Sequence, residues 1–310
     1  MTTSGSVNFT MNRDDIITDA LEDLGVLEVG ETPNTDQITA CARKLNMMVK
    51  AWMAQGYHLW AMKEATLFLV VGTQTYSLGA TGTHCTDTYV HTTLSTAEAT
   101  SSTSIGITSA TGMSASDNIG IVLDDGTIHW TTISGAPGTT TTIATGLASA
   151  ASSGNVVFAY TSKINRPQRI ISAYRRNIDG NDTPIDIESR QGYADLSNKT
   201  TQGKSNKVFY NPQLTNGILS VWPTPDLATD VIRFWYERVI EDFDAVTDNP
   251  DFPIEWASAI CAGLTYAMAP KSGRSLSEIS FFKNDADEKL QIALGYDKET
   301  ASVMFQPDVR

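Results

Sequence analysis

The chain is 310 residues long, 41% hydrophobic, and carries 22 lysines and arginines against 35 aspartates and glutamates, a formal net charge of −13. That length can bury a sizeable core and suffices for one large domain or two ordinary ones. The charge excludes nucleic-acid binding by phosphate neutralisation, which needs a lysine and arginine footprint that releases counterions; an acidic wall can still surround DNA without holding it.

The N-terminal stretch MTTSGSVNFTMNRDDIITDA has neither a charged leader before an apolar run nor a small-residue cleavage site, so no secretory route is expected. Residues 13 to 24, RDDIITDALEDL, place Ile16, Ile17, Ala20, Leu21 and Leu24 at helical spacing, with acids in the first turn and Gly25 as a stop. A second helix is expected from Thr35 to Gln55, with Ile38, Cys41, Ala42, Leu45, Met48, Val49 and Trp52 on one face and Gly56 at its end. The connection VGETPNTD is short, so the two helices should form an antiparallel hairpin.

Strands are expected at ATLFLVV and TQTYSL, followed by a change in composition. Between Lys63 and Lys163 there is no lysine or arginine, while Glu64, Asp87, Glu98, Asp117, Asp124 and Asp125 supply the charge. This Ser/Thr/Gly/Ala-rich window holds β-branched or aromatic runs at SIGIT, NIGIVL, TIHWTTI, TTIATGL and NVVFAY, and Asp124-Asp125-Gly126 is a hairpin signal between two of them. Residues 80–160 therefore read as a small all-β module. The alternative, a disordered Ser/Thr linker, does not account for the spaced Ile, Val and Trp.

Further strands are expected at PQRIISAYRRN, TPIDIES, NKVFYNP, GILSVWP and TDVIRFWYERVI, with a short polar helix near Ser189 to Leu196. With residues 64–79 they form one β layer. The stretch TDNPDFPIEWASAICAGLTYAMAP starts a helix at Pro253 and stops it at Pro270. About 17 residues with Glu255 among them is at the short limit for a bilayer span, so a buried helix is expected and no membrane insertion. A last helix should run from Ser275 to about Gly295, before the tail YDKETASVMFQPDVR.

Few residues suggest chemistry. The three cysteines, Cys41, Cys85 and Cys261, form no paired motif and no disulfide framework, and Cys41 and Cys261 fall in helical patterns as core. Four histidines, His58, His84, His91 and His129, lack the second pair a tetrahedral zinc site needs and read as exposed loop residues. Asp124 and Asp125 lack the alternating oxygen ligands of a calcium loop. The acids of ERVIEDFDAVTDNPD read as a solvated surface rather than a glycosidase pair. No phosphate-binding loop, dinucleotide glycine signature, nucleophile elbow or HExxH occurs. No catalytic, metal or cofactor residue is therefore assigned, and the chain is expected not to be an enzyme.

Three segments, in order, resemble the head-to-tail adaptor proteins of tailed bacteriophages, the family of tail accessory or DNA-stabilisation factors and tubular tail adaptors of short-tailed phages. They are ALEDLGVLEVGETPNTDQITACARKLNMMVKAWMAQGYHLW, PIDIESRQGYADL, and GILSVWPTPDLATDVIRFWYERVIEDFDAVTDNPDFPIEWASAICAGLTYAMAP. The elements in chain order are expected to give an α+β fold: a helical bundle from the N- and C-terminal helices with a central β layer, residues 1–79 and 161–310. An inserted all-β domain, immunoglobulin-like or similar, would occupy residues 80–160; it departs from the shortest family members, so no role is carried over to it. The resemblance implies a ring, taken as a dodecamer, at the neck of a virion assembled in the host cytoplasm. Its partners would be further copies of the chain, the portal protein and a tail or nozzle protein, with DNA passing through the lumen without sequence-specific binding. Aromatic residues carry much of the energy of such contacts, which singles out Trp222, Trp235, Tyr236, Phe252 and Trp256, with Met304 and Phe305 as anchors in the tail. Intramolecular core is an equal reading of Trp235 and Trp256. The alternative function is a tail-associated carbohydrate-binding or hydrolase protein using the β module.

Overall fold

The structure is a computed structural model that describes residues 3–6, 8–55 and 59–297. The described residues form the helices α1 (Arg13–Asp23), α2 (Thr35–Gln55), α3 (Arg190–Ala194), α4 (Ala257–Met268) and α5 (Leu276–Tyr296). The strands in the first part are β1 (Met62–Phe68), β2 (Thr75–Leu78), β3 (Cys85–Thr86), β4 (Val90–Thr93), β5 (Ser104–Gly106), β6 (Asn118–Val122), β7 (Ile128–Thr132), β8 (Thr140–Thr142) and β9 (Val156–Tyr160). The remainder are β10 (Arg169–Arg176), β11 (Asp182–Ile187), β12 (Gln202–Gly203), β13 (Lys207–Asn211), β14 (Gly217–Trp222), β15 (Thr224–Pro225) and β16 (Val231–Glu237). The chain divides into two compact units, Met1–Ala61 with Ile240–Arg310, and Met62–Val239.

The helical unit follows its local signals. Asn12 caps α1 by accepting from the backbone N–H groups of Asp14 and Asp15, and Asp15 reaches back to the Asn12 N–H in a capping box. Gly25, at φ +59°, lets the chain leave that helix in the left-handed region. Asn34 and Gln37 exchange the same reciprocal bonds at the start of α2. Ser275 and Glu278 do so at α5. The stretch after Pro253 opens with a 3-10 turn, Ile254–Trp256, before α4, and no described helix is long and apolar enough to cross a membrane. One core joins Ile16, Leu21, Leu45, Val49, Trp256, Ile260 and Leu264.

The β unit is built on an eight-stranded sheet of order β2-β14-β13-β11-β10-β16-β1-β3. Strand β16 pairs antiparallel with both β1 and β10, so segments far apart in the chain become neighbours. Ala65, Leu67, Ile232, Phe234, Tyr236 and Val221 bury one face. Within residues 80–160, a four-stranded antiparallel sheet of order β4-β9-β6-β7 and the β5-β8 ladder enclose Ile105, Ile119, Ile121, Ile143 and Val157. The Asp124-Asp125-Gly126 turn joins β6 to β7, with Gly126 at φ +81°.

These pairings correct the expected α+β fold of a helical bundle with a central β layer and an inserted all-β domain. Strands dominate: all sixteen lie in the larger unit, around a sheet of eight. Residues 80–160 are also not sealed off from that sheet. Strand β3 is its edge strand, and Phe68 and Val231 of the sheet share an aromatic and aliphatic core with Val122, Val156, Phe158 and Tyr160. The physical reason is that both sheet faces are apolar at this end, so hydrophobic burial joins the two layers instead of separating them.

Candidate interaction surface

The second face of the eight-stranded sheet changes character along its length. Alternation along each strand puts Phe68, Thr66 and Glu64 of β1 on this face with Val231, Arg233 and Trp235 of β16 and Arg176, Tyr174 and Ser172 of β10. Register then places them in rows. Phe68, Val231 and Arg176 form the first, Thr66, Arg233 and Tyr174 the second, and Glu64, Trp235 and Ser172 the third. The first row meets the aromatic residues of the β module, with Phe68 5.4 Å from Tyr89 and 4.8 Å from Phe158 between ring centroids.

The other rows form a polar and aromatic patch. Glu64 accepts hydrogen bonds from the Tyr174 hydroxyl and from an Arg233 Nη. The Arg233 and Arg176 guanidinium carbons lie 5.8 and 5.6 Å from the Tyr174 ring centroid, within cation–π range. Arg176 is held in turn by Asp182 through two bonds of 2.7 Å. Burial and then the bond to Glu64 push the Tyr174 hydroxyl up to about 12, so it stays protonated as a donor. Trp235, 42% exposed, stands beside this braced network. A tryptophan, a tyrosine and an arginine on one rigid strand surface match the residue types that dominate binding energy at protein interfaces.

The residues singled out from the sequence are placed as follows. Trp235 lies on the surface, whereas the adjacent Tyr236 points into the core at 3% exposure. Trp222 is half-buried and donates its indole N–H to the Asn198 carbonyl at 3.2 Å. Phe252 and Trp256 belong to an aromatic cluster of the helical unit, their centroids 5.5 Å apart, with Trp52 and Trp60 against them. Trp256 is 1% exposed. Met304, Phe305 and His58 lie outside the described residues. Sequence reasoning missed Glu64, Tyr174 and Arg233. The signal was the alternation Arg233-x-Trp235, but only the strand register shows what stands opposite.

His84 corrects the expectation of an exposed loop histidine. It is half-buried, stacks on Trp130 with centroids 3.9 Å apart and planes 6° from parallel, and shares a 2.6 Å hydrogen bond between Nδ1 and the Tyr160 hydroxyl. Burial, and then Lys163, lower its pKa from 6.5 to about 4. The neutral ring is therefore the form the fold accepts, and its contribution to stability is full above about pH 6.5 and lost as pH falls to about 4. Discounted for a ring that stays partly in solvent, the loss for wild type is expected to exceed that of His84→Gln by about 1–2 kcal/mol across that window. Urea midpoints of both proteins at several pH values check this; parallel pH profiles would contradict it.

Charge is distributed unevenly between the units. The helical unit has 10 lysines and arginines against 21 aspartates and glutamates, net −11, and the β unit 12 against 14, net −2. In the β unit the cations are largely matched within the chain, as in Arg169 with Glu237, Arg175 and Lys204 with Asp230, and Lys207 with Glu188. The helical unit also exposes apolar side chains. Phe281, Ile292 and Tyr296 of α5 are all exposed, and their spacing places them within about 60° of one another around the helix.

Among the described residues, no group of three or more His, Cys, Asp or Glu side chains could hold a metal ion. Burial pushes the Cys41 thiol up to about 11 and the Cys261 thiol up to about 12, the opposite of nucleophile activation. No protein-family model matches this chain, and no curated protein is detectably similar to it.

Proposed function

We propose that the chain is a structural head-to-tail adaptor without catalytic activity, whose copies close a ring beneath a phage portal, join capsid to tail and surround the exit channel for DNA. The observation that carries this reading is the segregation of charge. A helical unit of net −11 supplies a wall to which a polyanion does not adhere, while the nearly balanced β unit can meet other protein. The patch of Trp235, Tyr174 and Arg233 supports lateral contact, since a ring needs one face to fit a different face of the next copy with a closing rotation. The three ordered segments that resemble this family contain the C-terminal end of α1 from Ala20, and α2, α3, β14, β16 and α4.

The test is the mass of the purified protein, alone and mixed with portal rings. A discrete multiple of the 33.6 kDa chain, or a stoichiometric complex with portal, is expected. A chain that stays monomeric and never associates with portal rings overturns the proposal.

A further inference from the structure

In the helical unit, the N-terminal segment at Phe9 and Met11, together with α1, α4 and α5, borders an open cleft of about 620 Å³. A smaller cavity of about 140 Å³ shares Phe9, Met11, Ile254 and Ala257 with it, so the two adjoin along one groove. Its floor is apolar. Its rim is acidic, with Asp19, Glu22 and Asp23 from α1 and Glu255 from the turn before α4.

Among the described residues, the rim charge is not balanced. Lys289 is the cation among the lining residues, and it is paired to Asp285 at 2.8 Å. Glu22 accepts a hydrogen bond from the Gly30 N–H at 3.2 Å. Asp19, Asp23 and Glu255 have no such partner among the described residues. Burial, then the neighbouring carboxylates of Glu22, Asp23 and Asp15, raise the pKa of Asp19, as expected of acids crowded without a counter-charge.

We propose that this groove docks a basic segment of a partner protein, seating an apolar side chain on Met11, Ile254 and Ala257 and facing lysines or arginines to Asp19, Asp23 and Glu255. Charge complementarity selects this occupant. Nucleic acid and other anions are repelled by the rim, a bare cation makes no use of the apolar floor, and the helical unit of a second copy carries the same excess of acid, net −11. The inference does not depend on ring formation, because the groove lies within one unit of one copy.

A labelled amphipathic helix of about 14 residues, made of leucine and lysine, serves as the probe, with its leucine–glutamate counterpart as control, at roughly 0.15 M salt. Fluorescence anisotropy should show saturable one-to-one binding of the lysine peptide alone. Asp19→Lys with Asp23→Lys should weaken it roughly tenfold or more. Asp179→Lys with Asp195→Lys changes the net charge equally on exposed residues of the β unit, and should weaken it less than about twofold. Ile254→Asp, at an exposed floor position, should also weaken binding. Equal weakening by the two lysine pairs, equal binding of the glutamate peptide, or no binding of the lysine peptide overturns the proposal. Circular dichroism of each variant separates loss of the groove from loss of the fold.

Discussion

Trp256→Ala is expected to cost about 3–5 kcal/mol of unfolding free energy, the range for deleting a large buried aromatic side chain. Trp256 ends the 3-10 turn that leads into α4, and its ring lies 6.0 Å from Trp52, 6.5 Å from Trp60 and 5.5 Å from Phe252. Removing it leaves a cavity among three aromatic rings that cannot all move inward, because each is packed against the same core as Ile260 and Leu264. Trp256→Phe keeps most of the volume and should cost clearly less. Urea unfolding measures both; a loss below about 1 kcal/mol for the alanine variant would show that this side chain is not a core residue.

Trp235→Ala is expected to do the opposite. Its ring is partly in solvent, so the isolated chain should lose no more than about 1 kcal/mol. At a subunit contact, however, deleting a central tryptophan costs about 2 kcal/mol or more, close to a thirtyfold loss of affinity at each contact. The adjacent network stays in place, since Glu64 still binds Tyr174 and Arg233. Mass distributions as a function of concentration, beside urea unfolding, separate the two effects. Assembly at wild-type concentration would remove Trp235 from the contact; loss of assembly with loss of stability would make it a folding residue.

The tryptophans also show where sequence reasoning reaches its limit. Helix ends were legible where their signals are local: the acids of the first turn start α1, Gly25 terminates it, and Ser275 starts α5, whereas the Asn12 and Asn34 caps were not singled out. The Asp124-Asp125-Gly126 hairpin was legible for the same reason. Sheet order was not, because β1 and β16 pair across most of the β unit, and nothing local in Cys85 and Thr86 marks them as the edge strand of the large sheet. Trp235 and Tyr236 had to face opposite ways in a strand. Which of the two is buried depends on the apolar layer formed by Leu67, Ile232 and Phe234, and that exists only after strands distant in sequence have paired.

The same limit applies to the functional surfaces. The acidity of the chain is visible in composition, but its concentration in the helical unit appears only when Ile240–Arg310 is grouped with Met1–Ala61. His84 has no sequence signal that distinguishes it from a loop histidine. Its role follows from Trp130 and Tyr160 reaching it from β7 and β9.

The most direct measurement is an electron-microscopic image of the protein mixed with portal rings. The proposed function predicts a closed, rotationally symmetric ring coaxial with the portal, with an open channel that passes duplex DNA, about 20 Å or more across. Single copies scattered on the grid, or bound to portal without closing around a channel, would contradict it.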